Sequence, residues 1–195
     1  MEFAIDNAGC YFKLPWSSGG RGVVDTKELN KSQIQQWIRG SIKKQGSIMG
    51  EKAADRIIVF ASLWETGNAQ TTFKGYSISL SDGRGKYKGN VLAPQEQIYE
   101  YLQQESRQSI ETIIERQKVF LNENIAPCYS GSLGIDMIID TKGKILPCVE
   151  VNLRKTMGHM ALCYSQLSLE ARHLADKYCT LPFLTLTTLH QNVNT

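Results

Sequence analysis

One short segment places polar side chains at alternate positions. In "PCVEVNLR", Glu150, Asn152 and Arg154 lie two positions apart, with one residue between each and the next. If the segment is a strand, the three side chains lie on one face, because strand side chains alternate between the two faces of a sheet. A carboxylate, an amide and a guanidinium on one face are suited to binding a hard cation and phosphate oxygens.

The segment just before it, "GIDMIIDTKGKIL", predicts the first strand and the turn of a β-hairpin. A loop with an even number of residues would put Asp136 opposite Val149, on the wrong face. A three-residue loop puts Asp136 opposite Cys148, one diagonal step from Glu150. Such loops commonly end on a glycine in the left-handed conformation, and Gly143 stands at that place. The turn chemistry therefore favours the three-residue loop.

This hairpin predicts a cluster of Asp136, Glu150 and Asn152, with Val149 and Val151 directed toward a core. Diagonal neighbours in a sheet lie about 7–8 Å apart at the backbone, so the side chains can converge on one or two hard cations. Mg²⁺ prefers oxygen ligands and takes one or two carboxylates. Taken alone, the pattern is short and therefore weak support for a metal site. A half-exposed strand often carries polar residues on its solvent-exposed face without any ligand.

A second segment, "KLPWSSGGRGVV", begins with Lys13 and contains a glycine-rich loop. Glycines beside hydroxyls and cations often hold phosphate, but this order fits neither common phosphate motif. The Walker loop has its lysine after the glycines, and the dinucleotide motif opens a helix with G-x-G-x-x-G. The lysine therefore enters the loop from the strand that precedes it.

The elements around the loop can be predicted from residue patterns. Residues 9–14 are predicted to form a short strand, and the segment after the loop a helix capped by Asp25 or Thr26. Gly46 is predicted to end this helix. "SIMGEK" then forms a short strand or hinge.

The remaining two thirds of the chain predict antiparallel strands and flanking helices. Three strand patterns with short turns precede a long helix that begins near Pro94, with a possible break at residues 106–109. A last helix is predicted over about residues 158–178, after the hairpin. Residues 181–195 show no clear pattern. The expected fold class is α+β.

Composition excludes several classes of function. The chain has 195 residues with 42% hydrophobic and 21% charged residues, which is typical of a folded protein. A net charge of +3 with scattered basic residues gives no support for nucleic-acid binding. No apolar run is long enough to cross a membrane. The five cysteines form no C-x-x-C pair, which favours a reducing cytoplasm.

Together, the two segments resemble the ATP-grasp superfamily. Its members carry a lysine on a strand leading into a mobile glycine-rich loop, then a helix, a hinge strand and an acidic metal site ending in E-x-N. The matching pieces here are Lys13 with "PWSSGGRGV", the hinge "SIMGEK", and the pair "GIDMIID" and "VEVNLR". They span roughly residues 13–154. The implied fold is a small lid lobe over residues 1–52 and an antiparallel-sheet core with flanking helices over residues 53–195.

The resemblance implies ATP and Mg²⁺ as cofactors and a role for each matching residue. Lys13 would hold the ATP phosphates and act in catalysis with Arg154, which would face the reacting phosphate or acyl phosphate. Glu51 would lie near the adenine or ribose. The metal ligands would be Asp136, Glu150 and Asn152. The loop residues that would bind the nucleotide are Ser17, Ser18, Gly19, Gly20 and Arg21.

The chain also departs from the pattern of the superfamily. Members usually begin with a separate N-terminal domain, whereas this chain starts almost at the loop. The resemblance therefore implies a C-terminal portion, from a truncated gene product or from one half of a two-chain enzyme. Many members have an arginine two residues before the metal aspartate, where this chain has Gly134.

The activity implied is ATP-dependent ligation. An unidentified carboxylate substrate would become an acyl phosphate, which an amine or a thiol would then capture. Three alternatives stay open at this point. The chain could be a truncated, non-catalytic nucleotide-binding fragment, an ATP-grasp phosphotransferase (a kinase), or an α+β interaction domain that binds no nucleotide.

Overall fold

A computed structural model describes residues 9–17, 22–52, 56–81, 87–167 and 183–185. The chain divides into two compact units, Met1–Asp55 and Arg56–Thr195, called here the small unit and the large unit. The described strands form two sheets that are antiparallel except at one edge, and the helices are separate from them, which confirms the predicted α+β class.

The small unit contains a three-stranded antiparallel sheet in the order β2-β1-β3 and one long helix. Its elements are β1 (Cys10–Lys13), β2 (Val23–Asp25), β3 (Met49–Lys52) and α1 (Lys31–Gln45). Phe12 on the central strand packs against Ile34 and Ile38 of α1, and all three side chains are buried. This small core fixes the strand that carries Lys13 on its last position.

The start of α1 lies later than the sequence predicts. Asp25 does act as a cap, but of a short 3₁₀ turn, Thr26–Glu28, where its side chain accepts from the Lys27 backbone N–H. The α-helix begins after Asn30, which forms a reciprocal capping box with Gln33. A capping box satisfies two free backbone donors and therefore prevails over the single cap upstream. The predicted end is confirmed, since Gly46 is left-handed with φ 79°.

Within its described residues, the large unit contains a six-stranded sheet in the order β8-β7-β4-β5-β6-β9 and three helices. Its elements are β4 (Arg56–Gly67), β5 (Gln70–Ser81), β6 (Tyr87–Leu92), α2 (Gln95–Glu105), α3 (Ile110–Asn124), β7 (Gly131–Asp140), β8 (Ile145–Asn152), α4 (Met157–Ser165) and β9 (Phe183–Thr185). The predicted long helix is broken at residues 106–109, as the sequence allows. The short strand β9 falls in the segment without a pattern and pairs in parallel with β6.

The two faces of this sheet carry different side chains. Phe60 and Trp64 of β4 face the main core, which includes buried residues of α2 and α3. On the other face, Ala61 and Leu63 pack with Leu162 of α4. The strand β7 lies directly beside β4, so its side chains also alternate between the main core and the α4 face.

None of the helices in the described ranges is long and apolar enough to span a membrane.

Candidate functional site

The predicted hairpin is present as strands β7 and β8 joined by a three-residue loop. The Asp140 backbone N–H donates to the Lys144 carbonyl at 3.0 Å, and Gly143 is left-handed with φ 72°. The loop is also tied to the α2–α3 linker. The Arg107 N–H donates to the Gly143 carbonyl at 2.8 Å, and the Ile145 N–H donates to the Gln108 side chain at 2.6 Å.

The register of the hairpin differs from the prediction. Asp136 lies directly opposite Glu150, not opposite Cys148. The ladder runs regularly from the loop as far as Ile138 and Leu146 and then shifts. Pro147 follows at once, and a proline has no N–H to donate to the ladder, so it favours an irregularity of this kind.

Hydrogen bonds connect three of the predicted site residues in a row. The Asn152 Nδ2 group donates to Asp136 Oδ2 at 3.1 Å, and Arg154 Nη2 donates to Asn152 Oδ1 at 3.0 Å. Asn152 is buried, whereas Glu150 and Arg154 are exposed. The cluster therefore has a fixed base of Asp136 and Asn152 and an open side at which Glu150 meets solvent.

The carboxylates of Asp136 and Glu150 repel each other when both are ionised and no further positive charge is present. Burial raises the pKa of Asp136 to about 6, and the nearby Glu150 carboxylate contributes to this increase in pKa. The hydrogen bond from Asn152 and the charge of Arg154 act in the opposite direction but do not cancel the shift. A bound cation beside the two carboxylates would remove the repulsion between them.

The prediction that Val149 and Val151 point into a core is wrong. Val149 is half-buried, and Val151 is 36% exposed. The reason is the position of β8 at the edge of the six-stranded sheet, where one long side has no neighbouring strand among the described residues.

The donor set of the cluster suits Mg²⁺. Within the described ranges, no group of three His, Cys, Asp or Glu side chains is arranged to hold a metal ion. The cluster instead offers the oxygens of two carboxylates, Asp136 and Glu150, and of one amide, Asn152. Mg²⁺ takes one or two carboxylates and keeps positions free for water and substrate phosphates, so these residues fit it better than they fit Zn²⁺.

The small unit carries the other predicted site. Lys13 Nζ and Glu51 Oε2 form a salt bridge at 2.6 Å, with side chains 25% and 34% exposed. The two residues are diagonal neighbours, because Tyr11 pairs with Glu51 and Lys13 pairs with Met49. The sequence singles out both residues but does not predict that they pair with each other.

Only the ends of the glycine-rich loop are described. Ser18, Gly19, Gly20 and Arg21 lie outside the described residues. At the base of the loop, the Leu14 N–H donates to the Gly22 carbonyl at 2.8 Å. Ser17 Oγ donates to the Leu14 carbonyl at 3.4 Å.

A residue that the sequence does not single out holds the first part of this loop. Gln45, the last residue of α1, accepts from the Trp16 N–H at 3.0 Å and donates to the Trp16 carbonyl at 3.1 Å. These two bonds fix the backbone of Trp16, although its side chain is 81% exposed. The two residues are 29 positions apart, so no local pattern could have indicated the contact.

Comparison with known proteins gives one curated relative and several structural neighbours. No protein-family model matches the chain. Over 148 residues, 75% of this chain, it is 26% identical to "[Butirosin acyl-carrier protein]--L-glutamate ligase" of Niallia circulans. The match covers 33% of that ligase, so the chain spans about a third of its length.

The solved structures that resemble the chain share its fold at low sequence identity. N5-carboxyaminoimidazole synthetase of Staphylococcus aureus is 14% identical, with a TM-score of 0.55 over 89% of this chain and 42% of its own. The biotin carboxylase domain of a Hydrogenobacter thermophilus 2-oxoglutarate carboxylase, solved with MgADP and bicarbonate, is also 14% identical. Its TM-score is 0.57, over 87% of this chain and 36% of its own.

The chain has an α+β fold with an antiparallel-sheet core. More specifically, it has the ATP-grasp fold, since the structural neighbours and the curated relative are all ATP-grasp enzymes. The resemblance seen in the sequence is confirmed by both comparisons.

Proposed function

We propose that the chain belongs to an ATP- and Mg²⁺-dependent ligase of the ATP-grasp type. A carboxylate oxygen of the substrate attacks the γ-phosphorus of ATP, ADP leaves, and an acyl phosphate forms. An amine or thiol then attacks the acyl carbon and releases phosphate. The observation that carries the proposal is the direct pairing of Asp136 with Glu150 on neighbouring strands of an ATP-grasp fold.

In this proposal, Asp136, Glu150 and Asn152 hold Mg²⁺. When bound there, Mg²⁺ would supply positive charge that stabilises the transferring phosphate. Asn152 holds the Asp136 carboxylate in place through its amide hydrogen bond, which leaves Glu150 as the more adjustable ligand. A cage of two carboxylates and one amide leaves room for phosphate oxygens around the ion.

Arg154 is proposed to stabilise the charge that develops during transfer. Its guanidinium already contacts Asn152, so it stands at the edge of the metal cluster. A guanidinium presents several N–H donors in a planar fork that matches phosphate and carboxylate oxygens. Arg154 can therefore donate to the reacting phosphate while the carboxylates hold the ion.

Lys13 is proposed to bind the ATP phosphates from β1. Its present partner, Glu51, is partly exposed, and exposed ion pairs contribute only about 0–1 kcal/mol. Phosphate oxygens can therefore compete for the ammonium group, and Glu51 then becomes free to accept from the ribose or adenine.

The glycine-rich loop is proposed to cover the phosphates through Ser17, Ser18, Gly19, Gly20 and Arg21. Residues 1–52 are proposed as the lid and residues 53–195 as the core. Covering the site keeps water from hydrolysing the acyl phosphate.

The similar proteins support proposals on the substrate and on missing parts of the site, and the cysteines support a proposal on the location. The name of the curated relative describes ligation of L-glutamate to an acyl-carrier protein, which favours a carboxylate substrate for this chain. Each relative is more than twice as long as the matched part, so further residues of the site are proposed to come from another segment or another chain. The cysteines Cys10, Cys128, Cys148 and Cys163 are all free, which supports a cytoplasmic location.

The first test measures nucleotide binding by thermal unfolding of the full chain. A non-hydrolysable ATP analogue should raise the melting temperature with Mg²⁺ and should do so much less without it. Glu150→Gln should weaken the Mg²⁺-dependent part, whereas Glu123→Gln, a change of an exposed carboxylate on α3, should preserve it. Absence of any shift in a folded sample would contradict nucleotide binding.

The second test measures phosphate release. Ligation predicts release that requires both a carboxylate and an amine or thiol. Release with a hydroxyl acceptor and no amine would indicate a kinase. Binding without any turnover, even with candidate carboxylates and amines, would indicate a non-catalytic fragment.

A further inference from the structure

The pairing of Asp136 with Glu150 depends on a bulge in β8. Between the pairs Ile138–Leu146 and Asp136–Glu150, strand β7 contributes one residue, Met137. Over the same interval, β8 contributes three residues, 147–149. The longer strand must therefore bulge by two residues at this point.

The bulge decides which side chain faces Asp136. If the regular ladder near the loop continued without it, Asp136 would face Cys148, and Glu150 would face Gly134. The difference is two residues, so the side chains would stay on the same face in either register. Only the bulged register places the two carboxylates directly opposite each other, where cross-strand Cβ atoms are about 4.5–5.5 Å apart.

One buried side chain on α3 contacts both strands at the bulge. Gln117 Nε2 donates to the Pro147 carbonyl at 2.6 Å and lies 3.3 Å from the sulfur of Met137. Pro147 is the first residue of the bulged segment, and Met137 is the residue opposite it. Gln117 is only 7% exposed, so its Nε2 group would find little water to replace the bond if the Pro147 carbonyl moved away.

The same glutamine is held at its other end by the neighbouring strand. Gln117 Oε1 accepts from Ser62 Oγ at 2.8 Å, and Ser62 Oγ accepts from Trp64 Nε1 at 2.8 Å. Ser62 and Trp64 are fully buried. Because Ser62 Oγ donates to Gln117 Oε1, the oxygen end of the Gln117 amide faces Ser62 and the Nε2 end faces the bulge.

We infer that Gln117 is a positioning residue that sets the register of Asp136 against Glu150 by holding the Pro147 bulge from the opposite face of the sheet. Gln117 belongs to the face of the main core, together with Met137, whereas Asp136 lies on the α4 face. It therefore acts through the backbone of β8 and touches none of the proposed metal ligands. The consequence for metal binding rests on the proposed function, but the consequence for register does not.

The register is tested without metal or nucleotide by disulfide trapping. In the double variant Asp136→Cys/Glu150→Cys, mild oxidation should join positions 136 and 150, as peptide mapping by mass spectrometry can show. Adding Gln117→Met should shift the bridge to positions 136 and 148, where the natural Cys148 faces position 136 in the regular ladder. An unchanged bridge between positions 136 and 150 would overturn the inference, whatever the outcome for nucleotide binding.

Gln95→Met provides the matched control for this experiment. Gln95 also bonds the backbone of a strand, accepting from the Tyr76 N–H at 2.7 Å and donating to its carbonyl at 3.1 Å. Tyr76 lies on β5, two strands away from β7. The control should lower stability but keep the bridge between positions 136 and 150. A shift of the bridge in both variants would mean that general destabilisation, not Gln117, moves the register.

A milder variant covers the case in which Gln117→Met does not fold. Ser62→Ala removes the partner of Gln117 Oε1 but leaves the glutamine and the Pro147 carbonyl in place. The bridge should then divide between positions 148 and 150. A bridge that stays entirely at position 150 in folded Ser62→Ala would count against the network.

A compensating deletion tests whether Gln117 affects metal binding through the register of β8 or only through the stability of the fold. Deleting Cys148 and Val149 from β8 makes the ladder regular and still places Glu150 opposite Asp136. Gln117→Met alone should raise the Mg²⁺ concentration for half-maximal stabilisation by the ATP analogue about tenfold. Combined with the deletion, the same substitution should change it less than about twofold. A tenfold rise in both backgrounds would overturn the positioning role.

Discussion

The two candidate sites differ in how their charges are balanced. In the small unit, Lys13 and Glu51 neutralise each other across neighbouring strands. In the large unit, Asp136 and Glu150 also lie on neighbouring strands but carry the same charge. The first arrangement is balanced as it stands. The second has an excess of negative charge, which the charge of Arg154 offsets only in part.

The difference indicates what each site can bind. A like-charge pair on facing strands is unfavourable and persists where the surrounding structure imposes it or where a ligand compensates it. An opposite-charge pair at the surface is weak, so a ligand of higher charge can displace one partner. The large unit is therefore suited to a cation, and the small unit to an anion that competes with Glu51.

The largest effect is expected when the charge pattern of the large unit is made like that of the small unit. Glu150→Lys replaces the like-charge pair with an opposite-charge pair and removes a proposed metal ligand. The Mg²⁺ concentration needed for half-maximal stabilisation by an ATP analogue should rise about 100-fold or more, equivalent to about 2.7 kcal/mol. Glu123→Lys, an equal change of charge on α3, is the control. An unchanged Mg²⁺ midpoint in Glu150→Lys would contradict the inference that the like-charge pair of the large unit binds a cation.

Removing the cation of the small unit should have the next largest effect. Lys13→Met deletes the proposed charge-assisted contact to phosphate. Such a contact contributes about 1.5–3 kcal/mol, so affinity for the ATP analogue should fall roughly 10-fold to 150-fold. Calorimetric titration at saturating Mg²⁺ measures this loss. Lys43→Met, on the exposed side of α1, should leave the affinity unchanged. Equal losses in the two variants would show only a general charge effect.

Removing the anion of the small unit should change little. Glu51→Gln breaks the salt bridge, and the free energy of unfolding should change by about 0.2–1 kcal/mol, as is typical of exposed pairs. Urea unfolding measures this change. The loss of nucleotide affinity should be smaller than in Lys13→Met, because a glutamine still accepts hydrogen bonds from a ribose. A loss larger than in Lys13→Met would reverse the proposed order of importance.

The smallest effect concerns pH and a buried histidine of the large unit. Burial lowers the pKa of His159, and Lys155 acts in the same direction, while the Trp64 carbonyl and Glu65 oppose them. Between the ordinary value near 6.5 and the lowered pKa, the unfolded chain binds more protons, so the free energy of unfolding decreases as pH falls through this window. The raised pKa of Asp136 acts in the opposite direction in the lower part of this range, and it does so in both proteins. Urea unfolding across pH 5–7 should therefore show that the natural protein loses stability relative to His159→Asn as pH falls. Identical slopes would contradict it.

The parts of the fold that follow from local patterns were predicted correctly. Gly46 ends α1, and Gly143 closes a three-residue hairpin loop, because both need the left-handed conformation that glycine adopts easily. The start of α1 was missed because two capping residues compete, and Asn30 has the better partner.

The register that pairs Asp136 with Glu150 could not be predicted from the strand sequence itself. Its alternation places Asp136, Glu150 and Asn152 on one face in either register. The shift that pairs Asp136 with Glu150 coincides with a hydrogen bond from Gln117, which is 30 positions away from Pro147. Long-range bonds of this kind leave no periodic signal, so only the structure reveals them. Pro147 was a usable local clue, because proline within a strand indicates a bulge or an edge.

The contacts between the hairpin loop and the α2–α3 linker have a consequence for engineering. The Arg107 and Gln108 bonds hold both sides of the loop, so extra residues after Lys142 would break them and alter the spacing of the two strands. The turn at Asn68 and Ala69 is exposed, with both residues left-handed at φ 52° and 57°. A fluorescent label or affinity tag should therefore be inserted at the turn formed by Asn68 and Ala69, since exposed surface turns tolerate added residues.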